Sequence, residues 1–204
     1  MRDIPGLVVG CPSRGDDAVM MLRTLAALAR VDGRVAVFLE PIALYMSKDL
    51  HEAGDGQWLF DFPAQGQSLV PGEGRVYAPE AGDLVIYTYG NGVPMALRAS
   101  RAIEQQLGWQ VRVVDLRWLV PLDAGFITAQ AASARRVLVL DEGRHSGGVG
   151  EGVVTALVEA GFGHLPLRRV CGADTYTPLA GAAMFGLPSD NAVIGAALDL
   201  AQEP

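Results

Sequence analysis

Residues 137–152, Val-Leu-Val-Leu-Asp-Glu-Gly-Arg-His-Ser-Gly-Gly-Val-Gly-Glu-Gly, gather two carboxylates, an imidazole and a hydroxyl beside a run of glycines. Asp141, Glu142, His145 and Ser146 are the residue types of acid, base and nucleophile chemistry. A hydrolase triad is not what this spacing encodes, because the Gly-x-Ser-x-Gly elbow is absent and closeness in sequence is not triad geometry. Glu142, His145 and Ser146 are instead candidates for a substrate channel or a subunit interface, with an exposed loop as the alternative for His145. Gly147, Gly148 and Gly150 could present main-chain N–H groups to an anion at a helix start. Their spacing departs from both the dinucleotide Gly-x-Gly-x-x-Gly and the phosphate-loop Lys-Ser/Thr. Glycine permits an approach that a side chain would block, so these three are expected to pack closely, against a partner chain.

The elements that must position these residues follow from periodicity. Four apolar residues in a row at 137–140 predict a strand covered on both faces, and open α/β sheets bind ligands or partners at the carboxyl ends of such strands. Upstream, strands are predicted at Arg75–Ala78, Asp83–Tyr89 and Val111–Leu116, with helices at Pro94–Leu107 and Ala124–Ala134. Downstream come a helix at Val149–Ala160, a strand at Leu167–Cys171 and a helix at Asn191–Gln202. Strands alternating with helices of this length imply a mostly parallel sheet in three α/β/α layers, so residues 75–204 are expected to fold as one unit.

Residues 1–45 read as a smaller βαβ piece. Leu7–Gly10 and Val35–Leu39 are apolar strands, Ser13 is placed to cap the intervening helix, and Asp16 and Asp17 in its first turn suit the helix dipole. Two such strands alone would leave sheet edges and one face exposed, so another chain or a missing first part of the domain is expected to cover them. Residues 46–74 show no sustained period and read as an ordered linker, since Trp58, Phe60 and Phe62 are not expected to sit in water. Arg168 and Arg169 predict an edge or salt-bridged strand face.

The net charge of −7, with no basic run, argues against electrostatic binding to nucleic acid or an anionic membrane. No segment approaches the ~18 uncharged apolar residues of a membrane span, and the first residues lack a signal-peptide core, so a cytoplasmic protein is expected. Cys11 and Cys171, the only cysteines, are expected to be buried free thiols, and two are too few for a cysteine-ligated zinc.

Several longer motifs, in order, carry a resemblance. Ile-Pro-Gly-Leu-Val-Val-Gly-Cys-Pro-Ser (4–13), Asp17-Ala18, Val-Phe-Leu-Glu-Pro (37–41) and Leu44-Tyr45 resemble the end of the pyrimidine-binding domain in beta-type chains of thiamine diphosphate-dependent 2-oxo acid dehydrogenases. Asp-Leu-Val-Ile-Tyr-Thr-Tyr-Gly (83–90), Val-Asp-Leu-Arg-Trp-Leu-Val-Pro-Leu-Asp (114–123), the 137–152 stretch and Val-Cys-Gly-Ala-Asp-Thr-Tyr-Thr-Pro (170–178) are similar to the transketolase carboxyl-terminal domain of the same chains. The resemblance implies a part of the decarboxylating component, of pyruvate or branched-chain type. In that component thiamine diphosphate attacks the 2-oxo acid, and the acyl group passes to a lipoyl group on an acyltransferase core.

It also implies that the cofactor-activating glutamate and the later histidine of the pyrimidine domain fall before residue 1, and that the diphosphate and Mg2+ site belongs to another domain. No catalytic residue, cofactor ligand or metal ligand is therefore expected in this chain, which alone should bind no thiamine diphosphate and decarboxylate nothing. An alpha-type chain or a missing amino-terminal half, a homo-oligomer and the lipoyl-bearing core are the implied partners. Gly54-Asp55-Gly56 is similar to the opening of a magnesium and thiamine diphosphate motif, but the downstream Asn-Asn is missing and a turn is expected. Arg34 stands where related chains that hold potassium near Asp32 would need a neutral ligand, which disfavours that ion. Two alternatives stand beside the enzyme-component reading: a non-catalytic assembly or docking module, and another transketolase-like enzyme, which a phosphate-binding pair of basic loop residues would favour.

Overall fold

The computed structural model describes residues 4–203; residues 1–3, which begin the predicted amino-terminal unit, and Pro204 lie outside the described residues. The central feature is a five-stranded sheet in the order β3-β5-β4-β7-β8, made of Arg75–Tyr77, Val111–Asp115, Leu84–Thr88, Val137–Arg144 and Leu167–Gly172. Only β3 runs antiparallel to its neighbour; β5, β4, β7 and β8 are parallel. The remaining strands are β1 (Val8–Gly10), β2 (Ala36–Phe38) and β6 (Trp118–Val120), and the helices are α1 (Gly15–Val31), α2 (Gly92–Leu107), α3 (Ala124–Ala131), α4 (Val149–Glu159) and α5 (Asp190–Ala201).

Strand alternation divides the apolar residues between the two helical layers. Leu84, Ile86, Leu138 and Leu140 point into a core with Ala96, Ala99 and Ile103 of α2 and Val193, Ala197 and Leu200 of α5. Val85, Tyr87, Val137 and Val139 point the other way, onto Ile127 and Ala131 of α3 and Val153 and Leu157 of α4. The fold is thus a three-layer α/β/α unit of the expected kind, preceded by a βαβ unit whose β1 and β2 pair in parallel, with Val8 opposite Ala36.

Three sequence expectations need correction. Trp118–Val120 is a strand, too short for a periodic signal, and it pairs antiparallel with β1. One edge expected to need another chain is therefore closed from within, and Leu7, Val9 and Cys11 share the α3/α4 core. Ser13 does not cap α1: the N-cap is Arg14, without a side-chain cap bond, and the Ser13 hydroxyl donates instead to Asp115. Strand β7 runs on to Arg144, so Asp141 and Glu142 lie in the strand and not in the loop after it.

The 46–74 segment has no strand or helix among its residues and is stitched to α1. Arg23 donates to the carbonyls of Ala64 and Gln67, and Thr24 donates to that of Leu69. Gly54-Asp55-Gly56 is a turn: Asp55 accepts main-chain N–H groups from Leu50, His51, Glu52 and Gln57, while both glycines take positive φ. Trp58 is buried as expected, whereas Phe62 is 77% exposed, with the Arg23 guanidinium above its ring.

Candidate functional site

The carboxyl ends of β4 and β7 lie side by side, at the point where successive crossovers turn to opposite sides of the sheet. Asp141, 1% exposed, is the centre of this crevice. It accepts the Tyr89 hydroxyl at 2.5 Å and the N–H groups of Gly143 and Gly150, both at 2.7 Å. Both carboxylate oxygens are thereby engaged, and Asp141 is a structural anchor for the start of α4. Burial, then the charge and hydrogen bond of Asp141, push the Tyr89 phenol far above its ordinary range. Beside it, burial lifts the Glu142 carboxyl; the Asn91 amide, donating at 2.8 Å, opposes that, and Asp141 adds to it. Burial, followed by the charges of Asp115 and Glu142, pushes the neighbouring Cys11 thiol up to about 12, which keeps it protonated and inert. Cys171 is free and only half-buried, which corrects the expectation that both thiols are buried.

The loop residues turn away from one another. His145 donates its main-chain N–H to Gly172 O at 3.0 Å and accepts from Arg169 through its carbonyl, while the residue as a whole is exposed. Ser146 gives its N–H and its hydroxyl to the two oxygens of Asp174, at 2.9 and 2.6 Å, and these bonds hold the Asp174 carboxyl below its usual range. No serine–histidine–carboxylate relay is formed.

The glycines separate into two kinds. A Cβ at Gly148 would stand 2.6 Å from Asp141 Oδ2 and 2.9 Å from Arg144 O, and one at Gly150 would stand 3.1 Å from Val139 Cγ1. Both are needed inside the chain, by the close approach of α4 to Asp141. Gly147, at φ +73°, meets nothing within 4 Å and faces open space. A cleft of about 520 Å³ opens between this loop and the three-stranded sheet, with Tyr89, Leu119, Arg144 and Ser146 among its walls.

A second cluster, not singled out as a site in the sequence, joins the two sheets. Asp17, fully buried at the start of α1, receives Arg117 at 2.9 and 2.7 Å and Arg75 at 3.2 and 2.8 Å. Asp115 accepts the Ser13 hydroxyl and the Arg117 N–H, the latter at 3.0 Å. Burial raises the Asp115 carboxyl to about 6, the Ser13 bond and Arg117 charge opposing it and the Asp17 charge reinforcing it. Arg117 takes φ +57°, a left-handed conformation its N–H bond to Asp115 helps to hold. Asp17 and Arg117 both lie in motifs quoted above, but they are 100 positions apart, and no local pattern couples such a pair.

Comparison with known proteins places this geometry in a family. Residues 72–191 match the family described as transketolase, C-terminal domain, and the chain belongs to it. The 3-methyl-2-oxobutanoate dehydrogenase subunit beta of Mycobacterium tuberculosis is 32% identical over 201 residues, covering 98% of this chain and 53% of the relative. The pyruvate dehydrogenase E1 component subunit beta of Staphylococcus aureus is 33% identical over 192 residues, covering 93% of this chain and 54% of the relative. The chain therefore spans about half the length of the curated relatives it matches. A solved structure described as a split gene transketolase, inactive beta4 tetramer, shares the fold at a TM-score of 0.73 and 23% identity, covering 98% of this chain and 59% of that one. Among the described residues, no helix is long and apolar enough to cross a membrane, and no three His, Cys, Asp or Glu side chains are grouped to hold a metal.

Proposed function

We propose that this chain is the carboxyl-terminal part of the thiamine-dependent decarboxylating component of a 2-oxo acid dehydrogenase, of pyruvate or branched-chain type. It supplies subunit assembly and one wall of the active site. In this reading residues 1–45 are the end of a pyrimidine-binding domain, 46–74 a linker and 75–204 the transketolase-type domain. The observation that carries the reading is the open edge of β2 in a chain about a third identical to half of a dehydrogenase beta subunit. Before β2 Val35 is 68% exposed, and after it Ile42 and Met46 are 77% and 83% exposed, apolar surface that a further strand and helix layer would cover.

An alpha-type chain or an amino-terminal half would cover that surface and would bring the residues that hold thiamine diphosphate. Gly54-Asp55-Gly56, the stretch similar to the motif for that cofactor, does not fit it, because Asp55 already accepts four main-chain N–H groups within its own turn. The cleft lined by Arg144, Ser146 and Gly147 supports the channel-wall role. A docking role toward a second copy or a lipoyl-bearing core is supported by Tyr176, Leu179 and Phe185, each more than nine-tenths exposed in the loop after β8.

The test is carbon dioxide release from pyruvate and 3-methyl-2-oxobutanoate with thiamine diphosphate and Mg2+. The chain alone is expected to be inactive. Turnover is expected once an alpha-type chain and the amino-terminal half of a beta subunit from the same genome are supplied. Turnover by the chain alone, or none in the complete mixture, would overturn the proposal.

A further inference from the structure

Beyond the carboxyl ends of β1 and β2, between the βαβ unit and the 46–74 segment, lies a cavity of about 620 Å³. That volume is typical of a small-molecule site, and the ends of parallel strands are where such sites form. Its walls are mainly apolar and aromatic, including Phe38, Leu44, Tyr45, Trp58 and Phe60. Trp58 and Phe60 meet edge to face, with ring centroids 5.2 Å apart, which fixes the far wall. Arg14 stacks on Phe60 at 3.8 Å and is paired with Asp16, so the one cationic side chain in the lining is already neutralised.

The lining also contains one carboxylate, Glu40, just after β2. Glu40 is exposed at the cavity mouth, its one side-chain partner among the described residues is the Tyr45 hydroxyl, a neutral donor, and no cation of the lining pairs with it. That donation to Glu40 is also what raises the Tyr45 phenol, so the charge and the aromatic wall are in direct contact. A cavity with aromatic walls and one carboxylate at its mouth favours a ligand with an apolar or aromatic body and a single positive charge.

We infer that the cavity bounded by Phe38, Tyr45, Trp58 and Phe60 binds an aryl-alkyl ammonium compound, with Glu40 as its counter-charge. This site is separate from the cleft beside Arg144, but its wall shares Met46 with the surface that the proposed partner covers, so the chain is probed alone. The probes are phenethylamine, the neutral phenethyl alcohol and the anionic 3-phenylpropionate, titrated into the purified chain by calorimetry and tryptophan fluorescence.

Phenethylamine is expected to bind saturably and the anion not at all, while Glu40→Gln weakens the amine about fivefold without changing the alcohol. Met46→Arg, at an exposed position on the cavity wall, places a competing cation there and should abolish amine binding without unfolding the chain. Equal binding of amine and carboxylate, an unchanged affinity in Glu40→Gln, or no saturable binding of the amine would each overturn the inference.

Discussion

In the glycine-rich loop the groups that bond Asp141 are turned inward, whereas at the β2 edge apolar side chains are turned outward. The first region has the residue types of catalysis, but Tyr89, Gly143 and Gly150 saturate its central carboxylate, and Asp174 holds its serine. The second region has only Val35, Ile42 and Met46 to show, and these remain exposed. Reactivity requires an unengaged group, and association requires uncovered apolar surface, so the bland edge is the more informative place for function. The acidic junction between the sheets belongs with the loop, since its charges too are spent within the chain.

The sharpest way to break this contrast is at the junction. Asp17→Ala would leave Arg117, with its side chain 4% exposed, buried without its carboxylate, and is expected to cost about 3–5 kcal/mol in urea unfolding. Loss of under about 1 kcal/mol would show the cluster to be solvated and not closed.

Asp115 sharpens it through pH. Its folded pKa of about 6 lies above the ordinary 3.8, so the folded chain holds this proton more tightly than the unfolded one. The stabilisation from that proton is full below about pH 4, declines as pH rises through about 6 and is absent above. Asp115→Asn is expected to lose that decline, changing the difference in unfolding free energy between pH 4 and pH 7.5 by on the order of 2 kcal/mol. An identical pH profile in the variant would contradict the burial of an ionisable Asp115.

The loop's two kinds of glycine should also separate. Gly148→Ala drives a methyl into Asp141 and the Arg144 carbonyl and is expected to cost about 2 kcal/mol, while Gly147→Ala meets only the strain of its positive φ, about 1 kcal/mol. Smallest of all, His145→Ala should leave stability within about 0.5 kcal/mol, because its observed bonds are made by its main chain.

Much of the fold was legible because β4 and the first half of β7 are unbroken apolar runs, β5 departs from one only at Arg112 and Asp115, and helices such as α2 keep their period. What was not legible depended on distance along the chain. Trp118–Val120 is three residues long and becomes a strand only because β1 lies beside it. Ser13 looked like a cap because Ser precedes helices, yet an aspartate 102 positions away competes for its hydroxyl. The candidate residues Glu142, His145 and Ser146 lie near one strand end, but sequence could not reveal that Asn91, Gly172 and Asp174 would engage them.

The proposal that the β2 edge receives the rest of a pyrimidine-binding domain is tested most directly by hydrogen exchange across residues 35–39, with and without the amino-terminal half of a beta subunit. The account predicts that the Ala36 and Phe38 amides, which alternate with the Leu39 N–H already bonded to Gly10 O, exchange quickly in the isolated chain and are protected at least tenfold in the complex, as a new ladder of strand hydrogen bonds forms. Exchange across 35–39 that stays unchanged when the complex assembles would contradict it.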